Sequence, residues 1–191
     1  MPYVAFAEEI LGIIMQAAVL NGGGVSRLLD ADGVGPAVTI PHDAMLYEPR
    51  HALAVSGLNS GWFEGRDYEY VKHFMPERDM AGSRMLLEFE GVYHHAEVWV
   101  NGEKAAFRPY GYTNFYVDLT DRVRFGEDNE IRVIARNADQ PNSRWYSGAG
   151  IYRPVTLWTS PAEHIAVDGL FVRTIAADPA NGTARIRVEV E

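Results

Sequence analysis

Cysteine is missing altogether from the 191 residues. That excludes a disulfide scaffold, thiolate metal sites and a cysteine nucleophile. Basic residues are scarce, 17 Lys and Arg against 26 Asp and Glu, for a formal charge of −9. A nucleic-acid binder needs clustered cations to displace counterions from phosphates, so nucleic acid is excluded as a partner. Long apolar runs are absent as well. The one stretch worth testing, Ile10 to Leu20, is far short of the about 20 residues that a membrane-spanning helix requires. Glu8 and Glu9 precede it and no Lys or Arg comes before Arg27, the wrong flank for an export signal. The expectation is a cytoplasmic protein without a membrane partner.

What is present suits a packed β protein. Hydrophobic residues make up 47% of the chain and aromatics 12%, ample for a core. Eighteen Gly and ten Pro are scattered along it, as short strands joined by turns require. Ile10, Ile13, Ile14 and Ala17 follow helical spacing, which predicts a short amphipathic helix ended by Gly22, Gly23 and Gly24. Residues 1–24 thus read as an atypical, helix-like extension.

Beyond the glycines the period becomes two. Met85, Leu87 and Phe89 alternate with Leu86, Glu88 and Glu90, and Val98 and Val100 alternate with Glu97, Trp99 and Asn101. The same alternation runs through Phe115–Leu119, Ile131–Arg136 and Val155–Trp158. It places one set of side chains on a core and the other on solvent or ligand. Asn101-Gly102 is a strong hairpin signal, because both central residues of a type I′ turn need positive φ. With Val38–Ile40, Tyr68–Phe74 and Lys104–Arg108 the count is eight strands between Val38 and Trp158. Such a pattern predicts an all-β antiparallel sandwich, of jelly-roll or immunoglobulin type, over residues 25–162.

Residues 163–191 read as something else. Leu170–Thr174 and Thr183–Glu191 are strand-like, with Asp178 to Gly182 as the turn between them. Two strands cannot build a core of their own. The expectation is that the chain stops inside a second domain.

Common chemical motifs fail. His94 and His95 are neighbours at the entry to a strand, where side chains alternate, so they are expected on opposite faces and not on one metal. His42, His51, His73 and His164 show no ligand spacing, and no metal or cofactor is expected. Gly148-Ala-Gly150 begins a dinucleotide fingerprint, yet Arg153 stands at the third glycine. Glu88 and Glu90 share a strand face, as paired glycosidase carboxylates could, but read most simply as solvated surface.

One segment resists a bland reading: Asp139 through Pro154, where Trp145, Tyr146 and Tyr152 cluster with Arg144, Arg153 and small residues. Aromatic faces with planar hydrogen-bonding side chains suit a sugar site, since rings stack on C–H faces while hydroxyls take paired bonds. A packed loop in which Tyr152 and Arg153 support their neighbours is the alternative.

Ser143-Arg-Trp-Tyr-Ser-Gly-Ala-Gly-Ile-Tyr-Arg153 resembles the signature that closes the N-terminal sugar-binding domain of family 2 glycoside hydrolases, especially bacterial β-galactosidases. Pro41-His42-Asp43, Phe89 to Val92, Ala96 to Gly102, Gly111-Tyr-Thr113 and Asp118-Leu-Thr120 resemble further family motifs, in order. The resemblance implies a galactose-binding-like jelly roll beside a (β/α)₈ barrel, with an immunoglobulin-like domain opening at 163–191. Family members are retaining enzymes whose two glutamates lie on the barrel. The chain by itself is therefore expected to be inactive, a wall of the pocket for a β-linked sugar, with β-galactoside first among galactoside, glucuronide and mannoside. Asn142, Ser143, Arg144, Trp145 and Tyr146 are the residues expected to reach that pocket, with His42 and Asp43 as weaker candidates that hold the domain edge. Arg144 stands where some relatives carry a sugar-binding acid. The partners so implied are the parent's barrel and immunoglobulin-like domains, with a homo-oligomeric parent left open. A free-standing carbohydrate-binding module and a purely structural docking domain are the rival readings.

Overall fold

A computed structural model describes residues 16–19, 26–29 and 37–191. The chain divides into two compact units, one of them Ala17–Thr159 and the other including Ser160–Glu191.

The first unit is built on two sheets. A six-stranded sheet has the order β3 (Ala37–Val38), β2 (Ser26–Leu29), β4 (Tyr68–Phe74), β9 (Asn129–Ala135), β6 (Ala96–Val100), β7 (Glu103–Arg108). A four-stranded sheet has the order β1 (Gln16–Val19), β10 (Val155–Ser160), β5 (Arg84–Phe89), β8 (Phe115–Asp118). The eight strands expected between Val38 and Trp158 are all there. Period-two patterning fills the space between the sheets: Met85, Leu87 and Phe89 from β5 meet Val98 and Val100 from β6 and Ile131 and Val133 from β9 in one buried cluster. Register aligns these rows, with Leu87 opposite Val117, Val98 opposite Val133 and Val100 opposite Ile131. The fold is an all-β sandwich of antiparallel sheets, as the alternation predicts.

Asn101 (φ 50°) and Gly102 (φ 84°) close the β6–β7 hairpin in the left-handed region, as the dipeptide predicts. The Asn101 side chain does more than tolerate that φ. Its Nδ2 donates to the Arg122 carbonyl and to Asn129 Oδ1, both at 2.8 Å, and its Oδ1 accepts from Glu130 N.

Two expectations fail. The helix placed on Ile10–Leu20 is a strand at Gln16–Val19, the rest of that run lying outside the described residues, as do the glycines thought to end it. Helical spacing of a few apolar residues is a weak preference, and the backbone bonds available along the edge of β10 outweigh it. His94 and His95 do not point to opposite faces either. They precede β6, His95 has φ 47°, and their rings touch with centroids 4.3 Å apart. Alternation is a property of extended backbone, and a left-handed residue cancels it.

The unit containing Ser160–Glu191 holds a hairpin of β11 (Leu170–Asp178) and β12 (Thr183–Val190). Asp178 caps its turn, accepting from Ala180 N at 3.1 Å and from Asn181 Nδ2 at 2.6 Å. Cross-strand partners Leu170–Val190, Val172–Val188 and Thr174–Ile186 put one apolar row on one face.

Candidate functional site

The connection between β9 and β10 carries the residues singled out in the sequence, and it is pinned at both ends. Where it leaves β9, Arg136 donates to Glu97 Oε1 at 2.8 Å and to Asp67 Oδ2 at 2.9 Å, while Ala138 N donates to Asp67 Oδ1. Where it returns, Asp43 acts as a clamp. Its carboxylate accepts from the Tyr146 hydroxyl at 2.7 Å, from Ala149 N at 2.9 Å and from Met45 N at 3.2 Å. Backbone bonds from His42 N to the Ile151 carbonyl and from Ala44 N to the Ala149 carbonyl join the same two segments.

The glycines of Gly148-Ala-Gly150 are explained by this clamp. Gly148 has φ 70°, and a Cβ there would come within 2.7 Å of the Asp43 carboxylate. At Gly150 a Cβ would collide with the Tyr70 hydroxyl. They admit neighbours and do not cradle a phosphate.

Of the seven residues expected at a site, the structure brings Asp43 and Tyr146 into direct contact. His42 is beside them but buried, its Nδ1 3.0 Å from the Tyr70 hydroxyl and its ring stacked on Tyr47. Burial holds the imidazole below its ordinary pKa, against the pull of Asp43. Asn142 faces another way. Its Oδ1 accepts from the Tyr93 hydroxyl at 3.2 Å, and its Nδ2 lies 2.7 Å from Asn137 Oδ1 and 2.9 Å from His94 Nε2. Ser143 Oγ bonds the Trp145 backbone at N and O, turning the chain so that Arg144 and Trp145 stand in solvent. Trp145 is 65% exposed, an unusual state for the largest apolar side chain. Tyr146 leans on Phe63 with centroids 5.7 Å apart, and burial followed by its bond to Asp43 pushes its hydroxyl pKa up.

Beside Asn142 lies a groove of ≈ 770 Å³ lined by His94, His95, Phe107, Arg136, Asp139 and Asn142 among others. Burial, then the neighbouring His95, keeps His94 below the ordinary histidine value despite Asp139 and Asp67. Among the described residues no group of three or more His, Asp or Glu is placed to hold a metal ion.

Acid–base chemistry finds little to work with. Glu88, read as solvated surface, is in fact engaged: Trp158 Nε1 donates to it at 2.8 Å, and Asn114 Nδ2 and the Tyr116 hydroxyl each at 3.1 Å. Burial opposes its charge, yet these bonds leave its pKa lowered. A carboxylate so tied is neither a poised acid nor a free nucleophile. The arrangement suits recognition: an exposed indole and phenol, an amide and a guanidinium around one rigid loop.

Sequence reasoning missed Tyr93, Tyr110 and Tyr112, which pack together next to Asn142 and Trp145. Their spacing in Tyr110-Gly-Tyr112 was a legible signal, two rings on one side of a glycine turn.

A family profile described as the glycosyl hydrolase 2 galactose-binding domain-like domain matches residues 48–177. The chain belongs to glycoside hydrolase family 2. Within the family it corresponds to the N-terminal domain of β-galactosidases and β-glucuronidases. It is 38% identical over 148 residues to Beta-galactosidase BoGH2A of Bacteroides ovatus, covering 78% of this chain and 17% of that protein. A Beta-glucuronidase of Formosa agariphila is 32% identical over 128 residues, covering 58% of this chain and 13% of that protein. The crystal structure of a beta-glycosidase from Bacteroides vulgatus superposes with a TM-score of 0.76 at 28% identity, covering 92% of this chain and 24% of that one. The family 2 chain thus spans 17% and 13% of the length of these two curated relatives. Among the described residues no helix is long and apolar enough to cross a membrane.

Proposed function

We propose that this chain forms a non-catalytic wall of the sugar pocket in a retaining β-glycosidase, with β-galactoside as the substrate. The observation that carries the reading is the 38% identity over 148 residues to a β-galactosidase. On this reading Arg144, Trp145 and Tyr146 face the sugar, Asn142 and Ser143 shape the loop that presents them through their own hydrogen bonds, and Asp43 and His42 hold that loop in place. The nucleophile and the acid/base belong to a barrel in the parent, and the reaction proceeds there by double displacement. Residues 163–191 open an immunoglobulin-like domain. Leu46, Leu53, Val55 and Leu58, all well over half exposed, suit a face that docks on another domain of that parent.

A β-glucuronide is the second reading, favoured by the exposed Arg144, whose guanidinium matches a uronic carboxylate. Assaying this chain and the full parent against nitrophenyl β-galactoside, β-glucuronide and β-mannoside separates the readings. Turnover of the galactoside by the parent alone is the expected result. Preference for the glucuronide replaces the substrate, and turnover by the 191-residue chain itself overturns the non-catalytic role.

A further inference from the structure

The aromatic rings that leave the 142–146 loop form a connected series that the wall itself does not use. Trp145 and Tyr93 are both neighbours of the Tyr112 hydroxyl and act on its ionisation. The Tyr93 hydroxyl donates to Asn142 Oδ1 at 3.2 Å. Tyr112 packs tilted against Tyr93, centroids 5.3 Å apart, and edge-on to Tyr110 at 5.6 Å. Tyr93 is buried, but Trp145, Tyr110 and Tyr112 are 65%, 57% and 39% exposed. Three exposed aromatic side chains therefore gather beside the 142–146 loop, with Tyr110 and Tyr112 inclined at 63° to each other.

The cluster is also held before anything binds. The Gly111 carbonyl, between Tyr110 and Tyr112, accepts from the Tyr152 hydroxyl at 2.7 Å. A Cβ on Gly111 would come within 2.6 Å of the Tyr93 ring, so only glycine lets this turn lie against it. Arg108 Nη2 donates to Thr113 Oγ1 at 2.7 Å and braces the far side of the turn. Rings fixed in this way lose little conformational freedom on binding, which is what a weak stacking ligand requires.

We propose that Trp145, Tyr112 and Tyr110 form a platform for additional sugar rings, so that the ligand is a β-linked oligosaccharide and not a lone monosaccharide. This rests on the reading of residues 142–146 as a sugar wall and extends it outward. Flat C–H faces of pyranoses stack on such rings, while the phenol oxygens of Tyr110 and Tyr112 serve the hydroxyls. A protein neighbour is the less suitable occupant. The cluster holds no aliphatic side chain, in contrast to the exposed leucines and Val55 of the segment between β3 and β4.

The test is an NMR titration of the 191-residue chain with galactose and with β-1,4-linked galactobiose, galactotriose and galactotetraose. Affinity is expected to rise about tenfold in all from galactose to the longer sugars, the effect of one or two stacked rings. Tyr110→Ala should remove most of that gain and leave the Kd for galactose within twofold. Tyr110→Phe, which keeps the ring, should retain it and guards against a folding artefact. A flat length series with measurable galactose binding overturns the platform and leaves the wall intact. If Tyr110→Ala in that case lowers the Tm of the full parent, the rings belong to a protein interface. Failure of every sugar to bind overturns the wall and the platform together.

Discussion

Asn129 shows how much one side chain can decide. It is fully buried, and both ends of its amide are used twice. Its Oδ1 accepts from Asn101 Nδ2 and Arg124 N, and its Nδ2 donates to the carbonyls of Arg124 and Glu127. The amide thus ties the start of β9 to the hairpin turn and to the loop before it. Asn129→Ala leaves several buried partners unpaired and is expected to cost about 3 kcal/mol, read as a lowered urea midpoint with an unchanged m-value. Asn101→Gly, which keeps the positive φ but loses the side-chain bonds, should cost less. Nothing in the residues around Asn129 announces this, because satisfying a polar group from four directions takes segments distant in the chain. Asp43 is similar. Its type and place were noted, but not the three donors it would receive.

Strands were the most legible level. A face that is apolar at every second position can be buried only against another such face, so β4 to β10, apart from β7, are readable from the alternation of residue types. β1 and β2 were not, being four residues each and lacking a run long enough to show a period. The β11–β12 hairpin is the reverse case, since its strands are plain in the sequence while its apolar face is exposed among the described residues. Leu170, Val172, Ile186, Val188 and Val190 are each more than half exposed. Two strands without a covered face open readily. Backbone amides of 170–190 are therefore expected to exchange with deuterium orders of magnitude faster than those of β4 and β9, as mass spectrometry of peptic fragments would record. Equal protection in the two regions would show that the hairpin is held by more than its own ladder.

At the scale of the whole molecule, titrating groups set the pH range of stability. His42 and His94 are lowered below 6.5 by burial, so the unfolded chain binds protons that the native one refuses. Stability should begin to fall as pH drops through 6.5. A second loss follows in acid. Glu88, Glu97 and Asp118 have native pKa values below their ordinary ones, so the stability they contribute is complete above about 4.5 and disappears as pH falls through the lower native values. Glu48, raised by burial, opposes this with a single group. On the alkaline side, burial raises Tyr68, Tyr70 and Tyr146, whose ionisation in the unfolded chain draws the equilibrium away from the native state above pH 10. Buried Lys72, lowered from 10.5, works against that loss. Thermal melts across pH should show a plateau from about 7 to 9 with the steeper fall on the acid side. A melting temperature constant from pH 7 to 4 would contradict the assignment of the histidines and carboxylates.

The sequence alone determined that the protein is a cysteine-free, acidic, all-β chain, where its main strands lie, and the family its closing motif resembles. Those are properties of residue type and spacing, which local backbone preference and one-sided burial translate directly into strands and turns. The tertiary structure decided that Gln16–Val19 pairs as a strand, that His94 and His95 share a side, that Asp43 clamps Tyr146, and that Tyr93, Tyr112 and Tyr110 pack in succession. Each of these is a contact or a backbone angle fixed by packing between segments far apart in the chain, and spacing along one segment carries no information about what the fold brings against it.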